Sequence, residues 1–117
     1  MNRTIIFYRT YSGKCPVKEF LDSLYSKTAQ KVTWVLRVIE ELDLIPVNYL
    51  KKISRTEDIW ECRAQYGNNA YRILCFFDGN DIVLTNGFLK KTRLTPQIEL
   101  ERAINYKRDY FKRRRNE

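Results

Sequence analysis

The sequence contains no histidine. That absence removes the serine–histidine–aspartate and cysteine–histidine arrangements of nucleophilic catalysis, and the usual histidine acid–base pair. Cysteine is scarce as well. The three thiols, Cys15, Cys62 and Cys75, are scattered without the paired spacing of a zinc site. An odd number of isolated cysteines suits a reducing compartment, so a cytoplasmic location is expected. No GxGxxG turn, Walker A loop or EF-hand loop occurs, and neither a metal nor a cofactor is expected. No run approaches the roughly 20 apolar residues of a membrane span, so no membrane partner is expected. The start, through Lys14, has no apolar segment followed by a small-residue cleavage site, and no secretory leader is expected. Any chemistry falls to arginine, lysine, tyrosine and carboxylates.

What is present describes a globular chain. Its 117 residues suit one domain, 1–117, large enough to bury a core without disulfide or metal staples. A hydrophobic fraction of 44% with 14% aromatics excludes a disordered chain. The net charge of +8 is uneven: residues 89–117 carry 10 basic and 4 acidic groups, whereas residues 50–88 carry 5 of each. A basic C-terminal quarter on a near-neutral body points to a polyanion, nucleic acid first. A solvated helix face is the alternative, and charge alone does not choose between them.

The periodicities predict an α+β fold in the order β-α-α-β-β-β-β-α. Residues 4–9 read as a strand. Pro16 opens a helix whose stripe is Val17, Phe20, Leu21, Leu24 and Tyr25. Ser26 or Thr28 caps a second helix running to about Leu44, with Val32, Val35, Leu36, Ile39 and Leu42 on one face and Pro46 beyond it. From Tyr49 the period falls to 2. Strands are expected at 50–53, 58–66, 69–77 and 82–89, with turn signals at Gly67-Asn68 and Asp78-Gly79. Thr95-Pro96 then opens a basic last helix as N-cap and first-turn proline, with Leu100, Ala103, Ile104 and Phe111 buried. The result is a twisted, mostly antiparallel sheet with an N-terminal helical hairpin on one face.

Register separates the faces. A two-residue turn at Asn68-Asn69 sets Gly67 opposite Ala70 and Cys62 opposite Cys75, a pair read as buried thiols rather than a disulfide. Trp60, Cys62, Ile73, Cys75, Phe77, Ile82, Leu84 and Phe88 then share the core face beneath the hairpin. Glu61, Arg63, Gln65, Arg72, Thr85 and, by parity, Lys91 share the other. That second face also carries Leu74, Phe76 and Val83, costly to leave exposed; the last helix should cover part of this patch, and a partner should cover the rest or clamp the helical hairpin.

Two arginines, a lysine and a glutamate converging on one surface suit phosphate. A guanidinium offers a planar fork of donors and stays charged, and several cations around one phosphate stabilise the charge developing in phosphoryl transfer. RNA supplies its own nucleophile, the 2′-hydroxyl. Glu61 could accept its proton, and Lys91 could donate to the leaving 5′-oxygen or stabilise charge. The alternative is a cross-strand ion pair of Glu61 with Arg63 or Arg72 that serves no chemistry.

The runs Ile59-Trp60-Glu61-Cys62-Arg63, Ala70-Tyr71-Arg72-Ile73-Leu74 and Gly87-Phe88-Leu89-Lys90-Lys91-Thr92, ending in Thr95-Pro96, resemble the RelE/ParE toxin superfamily, specifically its phage-derived HigB-like branch. The resemblance covers nearly the whole chain. It implies a RelE-like fold and a ribosome-dependent mRNA endonuclease that inhibits translation and needs no metal. It also implies a helix-turn-helix, HigA-like antitoxin, with operator DNA reached only through that antitoxin. Position by position, it places Arg72, Arg63 and Lys91, with Lys90 beside it, at the superfamily's basic positions. Lys107, Arg108, Lys112, Arg113, Arg114 and Arg115 are then expected on ribosomal RNA phosphates. Relatives often add a C-terminal tyrosine or histidine, and no residue here aligns with one. Two other functions remain in view: a ParE-type gyrase poison without nuclease activity, and a non-catalytic RNA- or ribosome-binding module.

Overall fold

A computed structural model describes residues 3–116. In chain order the elements are β1 (Thr4–Phe7), α1 (Pro16–Asp22), α2 (Ser26–Glu41), β2 (Leu50–Lys52), β3 (Trp60–Tyr66), β4 (Asn69–Asp78), β5 (Asp81–Lys90) and α3 (Gln97–Arg115). The strands form a five-stranded sheet in the order β1-β5-β4-β3-β2. All pairings are antiparallel except β1 with β5. The class is α+β, with three helices and an open, mostly antiparallel sheet among the described residues.

Helices cover both faces. On one, α1 lies over β5 and α2 over β3. Val17, Val32, Val35, Leu36 and Ile39 bury against Cys62, Ile73, Cys75, Ile82 and Leu84, with Trp60 and Phe77 packed at the margin. That face is the one the period-2 pattern predicts. Gly87 on β5 lets α1 come close: a Cβ there would stand 2.4 Å from Phe20 Cδ2. On the other face α3 lays Ala103, with Leu100, Ile104 and Phe111, over Leu74, Phe76 and Val83. Those three strand residues are fully buried. The apolar patch expected to need a partner is therefore closed within the chain.

The register differs from the expected one by a single step. The β3–β4 turn is Gly67-Asn68, with Gly67 at φ 59°, so Tyr66 faces Asn69. Gly rather than Asn takes the left-handed turn position because it has no Cβ to clash there. The step moves every pair by two, which preserves the faces but changes the partners. Cys62 pairs with Ile73, not Cys75. The two sulfurs still lie 3.7 Å apart on the diagonal, as free buried thiols. Their contact and then burial push the Cys75 thiol well above its usual range.

A bulge in β5 has the larger consequence. Pairing slips between Leu74 and Cys75, so that Leu74 faces Asn86 while Cys75 faces Leu84, and Thr85 is the extra residue. Its hydroxyl donates to the Leu74 carbonyl within the buried sheet. One inserted residue reverses the parity of everything after it. Phe88 consequently faces Arg72 and packs beneath α3 rather than under the hairpin.

Three smaller corrections concern helix ends. Tyr25 occupies the N-cap of α2 and is exposed rather than buried in the α1 stripe. The second helix stops at Glu41, leaving Leu42 partly exposed, and Arg3 donates to the carbonyls of Ile39, Leu42 and Asp43 at and just beyond that end. At α3 the N-cap is Pro96, with no side-chain cap, since the Thr95 hydroxyl is engaged elsewhere.

Candidate functional site

α3 begins at Gln97 and its later turns pack by β1, where Tyr106 stacks on Tyr8 and Arg113 donates to the Arg9 carbonyl, so the part of the same sheet face beyond the apolar cluster it buries is polar. The strands present polar side chains there. Arg63 and Arg72 are directly opposed on β3 and β4, and Lys51 on β2 faces Glu61. Lys90, the last residue of β5, stands opposite Ala70 and therefore points to the same side as Arg72. This is where the bulge matters for function: it puts Lys90 on the arginine face and leaves Lys91, beyond the strand end and exposed, outside it.

Glu61 lies at the bottom of this group, only 4% exposed. Its Oε1 is 3.4 Å from Arg63 Nε and 3.3 Å from Arg72 Nε. Its Oε2 accepts a hydrogen bond of 2.7 Å from the Thr95 hydroxyl, which is why Thr95 does not cap α3. Both Nε atoms are buried, and each is ion-paired to this carboxylate without a well-aligned hydrogen bond. Arg72 is also held by its own terminal nitrogen, which donates to the Tyr71 carbonyl at 3.0 Å.

Burial lowers the Arg72 pKa from its ordinary value, Glu61 opposes that shift, and Arg63 adds to it. The Lys90 ammonium is displaced in the same direction. Burial contributes most, the carboxylate of Glu61 resists, and Arg72, Arg63 and Lys51 reinforce the lowering. A lysine among cations gives up its proton more readily than a solvated one.

Two clefts meet at Arg63. One, about 440 Å³, is lined among others by Lys51, Glu61, Arg63, Lys90, Arg93 and Thr95. The second, about 420 Å³, lies around the sheet edge, between Lys31 on α2, Asn48, Tyr49, Arg63, Gln65 and Arg72. Lys51, Arg93 and Thr95 are site residues that the sequence reading missed. For Lys51 a signal existed, because the β2–β3 pairing sets it against Glu61. Arg93 and Thr95 sit on a loop, and no periodicity reports on them.

The other basic residues expected on RNA phosphates lie on α3, away from these two clefts. Lys107 donates to the Glu57 carbonyl and Arg108 to its carboxylate. Arg113 pairs with Asp109 and lies over the Tyr8 ring, while Arg114 pairs with Asp78. Tyr8 in turn donates to Asp109, and burial together with that bond raises its phenol well above the usual range. Four of the six basic residues expected on RNA phosphates thus hold α3 to the rest of the chain. Lys112 and Arg115 are exposed. Among the described residues no cluster of His, Cys, Asp and Glu is placed to hold a metal ion, and no helix is long and apolar enough to cross a membrane.

A sheet covered by helices on both faces, with cations gathered over a buried carboxylate where one covering helix stops short, defines a small α+β protein able to grip an anionic group. The chain belongs to the family described as phage derived protein Gp49-like (DUF891), whose model matches residues 19–108. That span includes both clefts and every element from α2 through β5. No curated protein matches the chain significantly.

Proposed function

We propose that this protein is the toxin of a type II toxin–antitoxin pair and acts as a ribosome-dependent mRNA endonuclease in the cytoplasm. The observation that carries this reading is the cluster of Arg63, Arg72 and Lys90 around the buried carboxylate of Glu61, three cations to one anion. Membership of a phage-derived family and the HigB-like sequence motifs support it.

The chemistry needs no group beyond the chain and its substrate. The scissile phosphate sits against Arg63 and Arg72, whose charge and donors stabilise the extra negative charge of the transition state. The 2′-oxygen bonds to phosphorus as the bond to the 5′-oxygen breaks, leaving a 2′,3′-cyclic phosphate and a 5′-hydroxyl. Glu61, the one carboxylate among the described lining of its cleft, takes the 2′-hydroxyl proton and also sets the separation of the two arginines. Lys90 gives a proton to the leaving oxygen, and its lowered pKa suits that task. Lys91, exposed beyond the strand, is left as a docking residue.

A HigA-like helix-turn-helix antitoxin is the partner in this account, and it alone would contact operator DNA. Since α3 already closes the Leu74–Phe76–Val83 patch, the antitoxin is left with the helical hairpin, where Tyr25 and Leu44 are exposed near the two ends of α2. The test is primer extension on mRNA translated by purified ribosomes with the protein added. Cuts in codon register are expected. Intact mRNA, with DNA damage signalling in cells instead, would favour the gyrase-poison alternative; intact mRNA with tight ribosome binding would favour a non-catalytic module.

A further inference from the structure

We propose that the cleft at the sheet edge beside Arg63 is a base-binding subsite, in which Tyr49 stacks a nucleobase of single-stranded RNA next to the reacting phosphate. This deepens the endonuclease reading and rests on it for the identity of the neighbouring phosphate. The β2–β3 pairing ends at Leu50 with Cys62, followed by a single bond from the Arg63 amide to the Tyr49 carbonyl at 2.8 Å. Past that point β3 continues to Tyr66 with its outer edge open, and the exposed Gln65 stands on it. The opening is about 420 Å³, within the usual span of roughly 300–1,000 Å³ for small-ligand pockets.

Its lining is chemically one-sided. Lys31, Arg63 and Arg72 supply three cations, and no carboxylate lines the cleft. Tyr49 supplies an aromatic face and Asn48 and Gln65 supply amides, each offering both donors and acceptors. Cations for phosphate, a ring for stacking and amides for a polar edge are together the requirements of a nucleotide. The ring is already held in place. Trp34 meets it edge-on at 5.9 Å and 81°, Lys31 sits 4.6 Å above Trp34, and the Tyr49 amide donates to the Pro46 carbonyl at 2.9 Å. A stacking platform fixed before binding loses little entropy when the base arrives. Arg72 borders this cleft as well as the Glu61 carboxylate, so its charge acts on a phosphate bound there.

The experiment is fluorescence anisotropy with a labelled, non-cleavable 2′-O-methyl hexaribonucleotide and its abasic counterpart. Wild type should bind the first more tightly than the second. Tyr49→Leu should weaken binding of the base-bearing strand by roughly 5- to 150-fold, the range that one stacked base supplies, and should leave the abasic strand unaffected. Tyr49→Phe, which keeps the ring, should bind like wild type and so separates stacking from any folding defect. Equal affinity of wild type and Tyr49→Leu, or equal binding of the two strands, would overturn the subsite. Ribosomal cleavage assayed in parallel distinguishes the two claims. Cleavage without any role for Tyr49 removes the subsite alone, whereas Tyr49-dependent binding without cleavage keeps the subsite and removes the endonuclease reading.

Discussion

The Thr95 hydroxyl donates to Oε2 of Glu61 across 2.7 Å, tying the loop ahead of α3 to the carboxylate beneath the paired arginines. The same carboxylate lies within 3.4 Å of Arg63 and Arg72 through its other oxygen. Its removal leaves two opposed guanidiniums with no counter-charge. Glu61→Leu should therefore cost about 3–5 kcal/mol of stability, read from urea denaturation. Thr95→Val removes one bond to a charged group and should cost about 1.5–3 kcal/mol. A Glu61→Leu variant as stable as wild type would mean that the carboxylate does not hold the arginines. In the cleavage assay, Glu61→Gln should lower kcat by roughly 10²- to 10⁴-fold, the usual size of a lost acid–base group, with KM little changed.

Lys90 gives a pH prediction of definite sign. Burial and neighbouring cations make its ammonium lose the proton at lower pH than an ordinary lysine. As proton donor it must be charged, so kcat should fall as pH rises through that lowered pKa. Lys90→Arg keeps the charge but cannot deprotonate in this range. It should lower kcat overall and abolish the alkaline limb. Lys91→Ala should leave both kcat and the limb unchanged. A limb that survives in Lys90→Arg belongs to another group.

The contrast between Lys90 and Lys91 also marks how far the site could be read from residues alone. Side-chain alternation has a period of two, so an error of one turn position shifted every β3–β4 pair by two and left Arg63 and Arg72 correctly on the face opposite Trp60 and Cys62. Nothing in the composition of β5 announces the extra residue at Thr85, which fits a β-branched strand pattern. That one residue moved Phe88 under α3 and exchanged Lys91 for Lys90. The second core was half legible: Leu74, Phe76 and Val83 demanded a cover, but complete closure depended on Tyr106 and Tyr110, which carry polar atoms and did not stand out as a buried stripe. Tyr49 was missed because Trp34, which meets its ring, and Lys31, which shares its cleft, come from α2 and approach it only in three dimensions.

Gly87 tests the packing of α1. Any side chain there collides with the Phe20 ring, 2.4 Å from the position of a Cβ. Gly87→Ala should destabilise the fold by about 1–3 kcal/mol through overpacking. Phe20→Leu on that background should be milder than the sum of the two single changes, because the shortened side chain relieves the clash. Strict additivity in thermal or urea unfolding would place Phe20 elsewhere.

The basic residues of α3 divide into two groups with different behaviour. Arg113 and Arg114 hold Asp109 and Asp78, and replacing each by alanine should cost up to about 1 kcal/mol of stability, as for exposed ion pairs. Lys112 and Arg115 are exposed and should release counterions when they meet ribosomal RNA. Neutralising both should flatten the log–log salt dependence of ribosome binding by about 1.4 to 1.8, measured by sedimentation at several salt concentrations. An unchanged slope would limit these residues to solubility.

The most direct test is Arg72→Ala, assayed by primer extension of ribosome-bound mRNA beside ribosome sedimentation. Arg72 is buried, faces Arg63 on the neighbouring strand, pairs with Glu61 and borders the cleft. Its charge should matter more in the transition state than in the ground state. The expected result is a loss of roughly 10²- to 10³-fold in cleavage rate, the size found on removing one donor to a developing anion, with ribosome binding nearly intact. Cleavage by Arg72→Ala at the wild-type rate would contradict the account, and the cation cluster would then be an ion-pair network of the fold alone.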